Sequence, residues 1–253
     1  MAVVMLGVFT GCATAAEIPR AAQGQPPVAT QAGPWTLVWS DEFDGPVLNA
    51  HKWRAEDAAL VKNNELEYYT PSDVYVHDGV LTLRSQKRRM GGRPYTSGAV
   101  DTRRHFAWRY GRFEIRAKLP RGKGLWPAHW LLPVDNTWPP EIDIVELLGH
   151  DPHTVLMTNH WGMAATHAWK GDTFTGPDFT EDFHVFALEW EPDALRWYVD
   201  GELRYQTHSH VPHRRMYLIL NTAVGGDLPG NPDATTVFPQ HHDIDYVRIY
   251  KRP

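Results

Sequence analysis

Short runs that alternate apolar and polar residues recur along the chain, and no stretch sustains a 3.6-residue period. In Gly111–Pro120, Phe113, Ile115 and Ala117 alternate with Glu114, Arg116 and Lys118. That pattern predicts a strand with one buried and one wet face, with Arg112 and Glu114 on the wet face as solvated partners. Val80–Arg84 reads as another short strand. Leu195, Trp197 and Val199 alternate with Arg196 and Tyr198. Asp200-Gly201 then gives a hairpin turn, and Leu203 and Tyr205 continue beyond it. Ile244–Tyr250 is a β-branched and aromatic closing strand. Twenty Gly and twenty Pro punctuate these runs. Many short strands separated by turns predict an all-β sandwich, jelly roll or barrel.

One strand breaks the rule of apolar burial. Glu141-Ile142-Asp143-Ile144-Val145-Glu146 places three carboxylates inside an apolar run. Buried acids are costly unless paired or used, and like charges close together do not all ionise freely. A glycosidase uses that conflict, keeping one carboxylate ionised and a second protonated. Alternation puts Glu141 and Asp143 on one face, while Glu146, five residues on, points the other way. One extra residue, a β-bulge between Asp143 and Glu146, restores it to the same face. The two glutamate backbones then lie about 13 Å apart, at roughly 3.3 Å per residue. Side chains leaning inward close that to the ~5–5.5 Å of a retaining enzyme.

At 253 residues the chain suits one large domain. A net charge of −5 with no basic stripe argues against a nucleic-acid partner. Eleven Trp is an unusual number: some suit a large aromatic core, and others suit a sugar cleft, since a flat indole packs on the apolar face of a pyranose. Trp130 stands four residues after Trp126, on the same strand face.

The N-terminus differs in kind. Residues 1–15 hold a short apolar run ending in Phe9-Thr10-Gly11-Cys12, which suits an export signal and resembles a bacterial lipobox. Cys12, the single cysteine of the chain, is then the lipidated residue and the means of membrane attachment. Cleavage after Ala13-Thr14-Ala15 is the alternative. Residues 16–34, rich in Ala, Pro, Gln and Gly, read as a disordered linker. Residues 35–253 are the expected domain, and the protein is expected outside the cytoplasm, periplasmic, on the outer membrane or secreted.

The motifs of that domain resemble glycoside hydrolase family 16, the laminarinase-like β-glucanases. They include Leu37–Phe43, Asn63–Thr70, Tyr110–Ala117, Trp126–Leu131, Glu141–Glu146, Phe186–Trp190, Ala223–Gly226 and Asp245–Arg248. The resemblance implies a β-jelly-roll sandwich with a substrate cleft on its concave face. It implies Glu141 as nucleophile, Glu146 as acid/base, Asp143 as their modulator, and retention by double displacement. It further implies Trp126 and Trp138 as sugar-stacking residues, His160 as a histidine near the acid/base, and Asn64 as a contact to sugar hydroxyls. The loop Gly225–Gly230 is expected to rim the cleft. No cofactor is expected for catalysis. A structural calcium on the convex face is implied at Glu42 and Asp245, near the two ends of the domain.

The expected substrate is a β-1,3-glucan, then a mixed-linkage β-1,3-1,4-glucan, acted on by a monomer. Pro140 stands where laminarinases usually have Gly, and Asn159-His160-Trp161-Gly162 replaces a more usual His-Tyr-Gly, so the sugar is less fixed than the chemistry. Agar- or carrageenan-cleaving, transglycosylating and purely glucan-binding relatives share the fold. The last typically lack one catalytic glutamate, and this chain has both.

Overall fold

Residues 35–253 are described in a computed structural model. The lipobox, the A-x-A site and the linker lie outside them. The described residues form two large antiparallel sheets packed face to face, with two short 3₁₀ turns and no α-helix. Among the described residues no helix is long and apolar enough to cross a membrane.

One sheet runs in the order Glu202–Thr207, Ala194–Val199, His184–Glu191, Gly111–Lys118, Gln240–Lys251, Val80–Ser85, Val74–His77, with Thr36–Asp41 also pairing with Gln240–Lys251. The other runs Ala168–Thr175, Thr154–Trp161, Glu141–Leu147, Leu125–Pro133, Met216–Val224, Ala99–Asp101, Arg54–Ala55. Every strand expected from alternation is present, and Asp200-Gly201 makes the hairpin turn. Between the sheets lies one continuous apolar core, with Phe113, Ile115, Phe186, Leu188 and Val247 from the first sheet against Ile142, Ile144, Leu147, Val155 and Leu218 from the second. Burial of such side chains contributes roughly 1.5–3 kcal/mol each before the entropy of ordering them is set against it.

The expected wet face of Gly111–Lys118 is not wet. Arg112 and Glu114 are buried, because they meet partners of opposite charge and aromatic cover. Arg112 donates to Glu114 Oε2 at 3.0 and 2.9 Å and to Glu189 Oε1 at 3.1 Å. Tyr246 and Tyr198 hydroxyls take the remaining oxygens of the two glutamates. The motif residues shared with the family thus include a closed ion network on the far side of the first sheet.

Two contacts tie the sheets together in ways the apolar pattern does not announce. Trp197 of the first sheet donates its indole N–H to the backbone carbonyl of Asp143, at 2.8 Å. His129 of the second sheet and His242 of the first meet through their Nε2 atoms at 3.0 Å, both fully buried.

Candidate active site

The strand Glu141–Leu147 carries the bulge its sequence demands. Pairing with Thr154–Trp161 shifts register between Asp143 and Glu146, and pairing with Leu125–Pro133 shifts between Asp143 and Val145. Ile144 and Val145 are consecutive and both buried in the core. Two adjacent inward residues break the alternation, so Glu146 returns to the face of Glu141 and Asp143. The bulge lies next to Asp143, whose carbonyl receives Trp197, so an indole from the opposite sheet fixes the backbone between the two glutamates.

That face of the second sheet is the floor of a cleft of about 810 Å³. All three carboxylates line it, together with Trp126, Trp130, Trp138 and His160. Trp126 and Trp130 rise from the strand beside the acids, on one face as their spacing predicts. Trp126 Nε1 donates to Glu146 Oε1 at 2.8 Å, and Trp138 Nε1 donates to Glu141 Oε2 at 2.8 Å. Each outer carboxylate is therefore held by its own indole.

The electrostatics separate the acids. Burial pushes the Glu146 carboxyl up to about 8, and the nearby Asp143 carboxyl adds to the effect, while the Trp126 N–H opposes it. Burial first, and Glu141 second, hold Asp143 well above the usual carboxylate range. At neutral pH Glu146 therefore retains a proton to give, and a protonated Asp143 has one hydrogen to offer Glu141. A carboxyl that keeps its proton across a cleft from a second glutamate is what the division of labour of a glycosidase requires.

Similarity to known proteins agrees with this geometry. The model of Glycosyl hydrolases family 16 matches residues 62–248. The chain belongs to glycoside hydrolase family 16. It is 40% identical over 248 residues to a beta-glucanase of Rhodothermus marinus, an alignment covering 86% of this chain and 85% of that protein. It is 35% identical over 257 residues to glucan endo-1,3-beta-glucosidase A1 of Niallia circulans, covering 85% of this chain and 38% of that longer one. Its fold superposes with a TM-score of 0.81 on the catalytic domain of an endo-1,3-beta-glucanase (laminarinase) from Thermotoga petrophila, at 40% identity, covering 86% of this chain and 98% of that one. Membership makes the chain a glycosidase on a jelly-roll sandwich that needs no cofactor for its chemistry.

Within the family frame several residues sit differently from expectation. His160 pairs across the ladder with Glu141, not with the acid. Its Nε2 lies 2.9 Å from Asp143 Oδ2 and 3.9 Å from Glu141 Oε1. The nearer contact is short but is not an aligned hydrogen bond. His160 Nδ1 meets His167 Nε2 at 2.8 Å, and the His167 ring packs 4.6 Å from Trp138. His167 thus braces both the histidine and the indole that flank Glu141.

Asn64 does not line the cleft; its neighbour Asn63 does. Asn64 Nδ2 donates to Asp227 Oδ1 at 2.7 Å and fastens the Gly225–Gly230 loop to the opposite wall. Leu228 of that loop rims the cleft as expected. Gly226 has φ +116°, and a Cβ there would stand 3.0 Å from the Asn63 carbonyl and 3.6 Å from the Trp126 ring. The loop closes on the wall only because that Cβ is missing.

Sequence reading missed Lys62, Asn221, His167 and Trp169, all of which line the cleft. Trp130 Nε1 donates to Asn221 Oδ1 at 2.7 Å, and Lys62 Nζ lies 4.7 Å over the Trp130 ring. Trp169 pairs with His160 across the ladder and is 65% exposed. A signal for it existed: an exposed indole on an edge strand one register step from the active-site histidine.

Glu42 and Asp245 do not fit a shared cation. Arg248 grips Glu42 through two nitrogens at 3.0 and 2.8 Å, and Arg116 Nη1 sits 2.6 Å from Asp245 Oδ2. Each carboxylate is already neutralised by a guanidinium, which would repel a calcium ion. Among the described residues, the His, Asp and Glu side chains grouped closely enough to ligate one metal are Glu141, Asp143 and His160, with ligating atoms within 4.8 Å of one another.

Proposed function

We propose that this chain is a retaining, endo-acting hydrolase of β-1,3-glucan. The observation that carries the reading is the bulged strand, which turns Glu141, Asp143 and Glu146 into one cleft with Glu146 held in its acid form. Relatives named glucan endo-1,3-beta-glucosidase, of Niallia circulans and Cryptopygus antarcticus, and the endo-1,3-beta-glucanase of Thermotoga petrophila support the substrate class. An endo-1,3-1,4-beta-glycanase of Rhizobium meliloti at 35% identity supports mixed-linkage glucan as the second substrate.

In this reading the Glu141 carboxylate attacks the anomeric carbon as the glycosidic C–O bond breaks. Glu146 gives its proton to the departing oxygen. Glu146, now ionised, then takes a proton from water, whose oxygen attacks the same carbon and frees Glu141. Two inversions give retention. Asp143 donates to Glu141 while Glu141 is an anion, fixing its orientation. Trp126, Trp130 and Trp138 offer flat faces to the sugars. Export, with Cys12 as the lipid-bearing residue of the mature protein, belongs to the same reading and suits an enzyme whose substrate is an external polysaccharide.

The test is reducing-end release from laminarin, lichenan, agarose and carrageenan by the full chain and by Glu141→Gln. Release from laminarin, with loss of at least roughly 10³-fold in the variant, is expected. Full activity in the variant, or activity confined to agarose or carrageenan, overturns the assignment. Mass spectrometry of the mature N-terminus decides Cys12: a diacylglyceryl adduct supports lipidation, and a start at Ala16 rejects it.

A further inference from the structure

A second pair of acids stands in the cleft wall, with Glu65 among the lining residues, and the chemistry above makes no use of it. Glu65 and Glu67 are 2% and 0% exposed. They stand two residues apart where the Lys62–Leu66 segment enters the short strand Glu67–Tyr69. Three of the groups around them are donors to a carboxylate. Asn63 Nδ2 donates to Glu65 Oε1 at 3.0 Å, Lys62 Nζ lies 3.9 Å from the same oxygen, and Val224 N–H donates to Glu67 Oε2 at 2.7 Å. The remaining two oxygens, Glu65 Oε2 and Glu67 Oε1, are buried without an aligned hydrogen bond. Two ionised carboxylates, buried and each with an orphaned oxygen, are untenable beside one another.

One hydrogen resolves both orphans. Burial, and then the neighbouring Glu65 carboxylate, push the Glu67 carboxyl up to about 8, and the two side chains lie within hydrogen-bonding reach. The other polar groups packed around them leave that assignment in place. Tyr69, fully buried next to Glu67, is held well above the ordinary phenol range and stays neutral. Its hydroxyl accepts from Asn221 Nδ2 at 2.9 Å and lies within hydrogen-bonding reach of Glu67, so it adds a second hydrogen to the pair without removing the need for the first. Arg93 Nη1 binds the backbone carbonyl of Glu65 at 2.5 Å, not its carboxylate. Lys62 is the cation facing Glu65.

We propose that Glu67 carries a hydrogen that it donates to the Glu65 side chain, and that this pair of acids is the latch that sets one wall of the sugar cleft. Everything the latch holds faces substrate. Glu65 bridges to Gly225 and Leu66 N–H bonds the Val224 carbonyl, joining the wall to the Gly225–Gly230 loop. Asn63 and Lys62 line the cleft, and Lys62 covers Trp130. Glu67 itself touches no substrate; it is a positioning residue whose role is to supply a hydrogen, so an amide serves as well as an acid.

The inference rests on the glucanase reading for its substrate, and the test separates the two. KM and kcat on laminarin, and thermal unfolding from pH 5 to pH 9, are measured for the full chain, Glu67→Gln and Glu67→Ala. At pH 6, Glu67→Gln matches the parent in KM and kcat. Glu67→Ala raises KM roughly tenfold with kcat retained, because Glu65 loses its donor and the wall loosens.

Linkage gives the second readout. A carboxyl whose folded pKa is raised contributes stability that is present at low pH and lost as pH rises towards about 8. The parent therefore loses melting temperature relative to Glu67→Gln between pH 5 and pH 8, and that difference is independent of any activity. Glu67→Gln as impaired as Glu67→Ala at pH 6, or a parent-minus-Gln difference that is flat with pH, overturns the latch. If Glu67→Ala does not fold, the comparison with Gln decides alone. A parent inactive on laminarin overturns the substrate reading and leaves the melting series to judge the latch.

Discussion

The indole N–H of Trp126 donates to Glu146 Oε1 at 2.8 Å, so the proposed stacking platform and the proposed acid form one hydrogen-bonded unit. That bond favours the ionised carboxylate and lowers a pKa that burial raises. The alkaline limb of activity therefore belongs to this unit.

For the parent enzyme, kcat on laminarin is expected to fall as pH rises through about 8, where Glu146 loses the proton it must donate. Trp126→Phe keeps an aromatic face but removes the N–H, so the alkaline limb moves to higher pH. A pH–rate profile with that limb unmoved rejects the coupling.

Trp169→Ala tests the far rim. The residue is 65% exposed, so its removal leaves the melting temperature within a degree or two of the parent, by the usual insensitivity of surface sites. KM on laminarin rises roughly three- to tenfold, the equivalent of one lost stacking contact. Unchanged KM and product sizes would show that the glucan does not reach this strand.

Arg112→Ala tests the ion network on the other sheet. It leaves Glu114 and Glu189 buried without their cation, which costs about 3–5 kcal/mol. Chemical denaturation measures it. Activity per folded molecule stays near the parent, because the network lies on the sheet opposite the cleft.

The histidine pair between the sheets predicts acid lability. Burial lowers His242 from the ordinary 6.5 to about 4, and burial with its partner's proximity keeps His129 well below the usual range. The unfolded chain takes up these protons first, so stability is lost as pH falls from about 6.5 to about 4. His242→Gln has a shallower acid slope in denaturation midpoint, and is less stable at neutral pH by about 1–3 kcal/mol for the bonds it loses. Parallel curves for parent and variant dismiss the pair as the source.

What the chain discloses in advance follows from how local each signal is. The bulge was countable, because five residues cannot bring Glu141 and Glu146 to one face of a regular strand. The tryptophans of the floor were legible for the same reason: period two decides their side. Asn64 was misplaced by one residue, because Asn63 and Asn64 both adopt positive φ and only the turn's geometry decides which faces the cleft. Arg112 and Glu114 read as wet because alternation cannot see that Glu189, far along the chain, arrives beside them. Glu42 and Asp245 read as a cation site, but their arginines come from Gly111–Lys118 and Gln240–Lys251, pairings fixed only by topology. Glu67 passed unnoticed because an acid serving as a hydrogen donor is invisible until its neighbour's oxygens are counted.

The strand Glu141–Leu147 has no idle position. Glu141, Asp143 and Glu146 fill the cleft, while Ile142, Ile144, Val145 and Leu147 fill the core. A descendant of this protein has no freedom there to try a new sugar, since each substitution damages either the reaction or the packing. Exploration is channelled outward, to the segments around Asn63, Trp138, His167 and Leu228, which line the cleft without supporting the sandwich. The chemistry is written in the part of the molecule that cannot drift, and the choice of polysaccharide in the part that can.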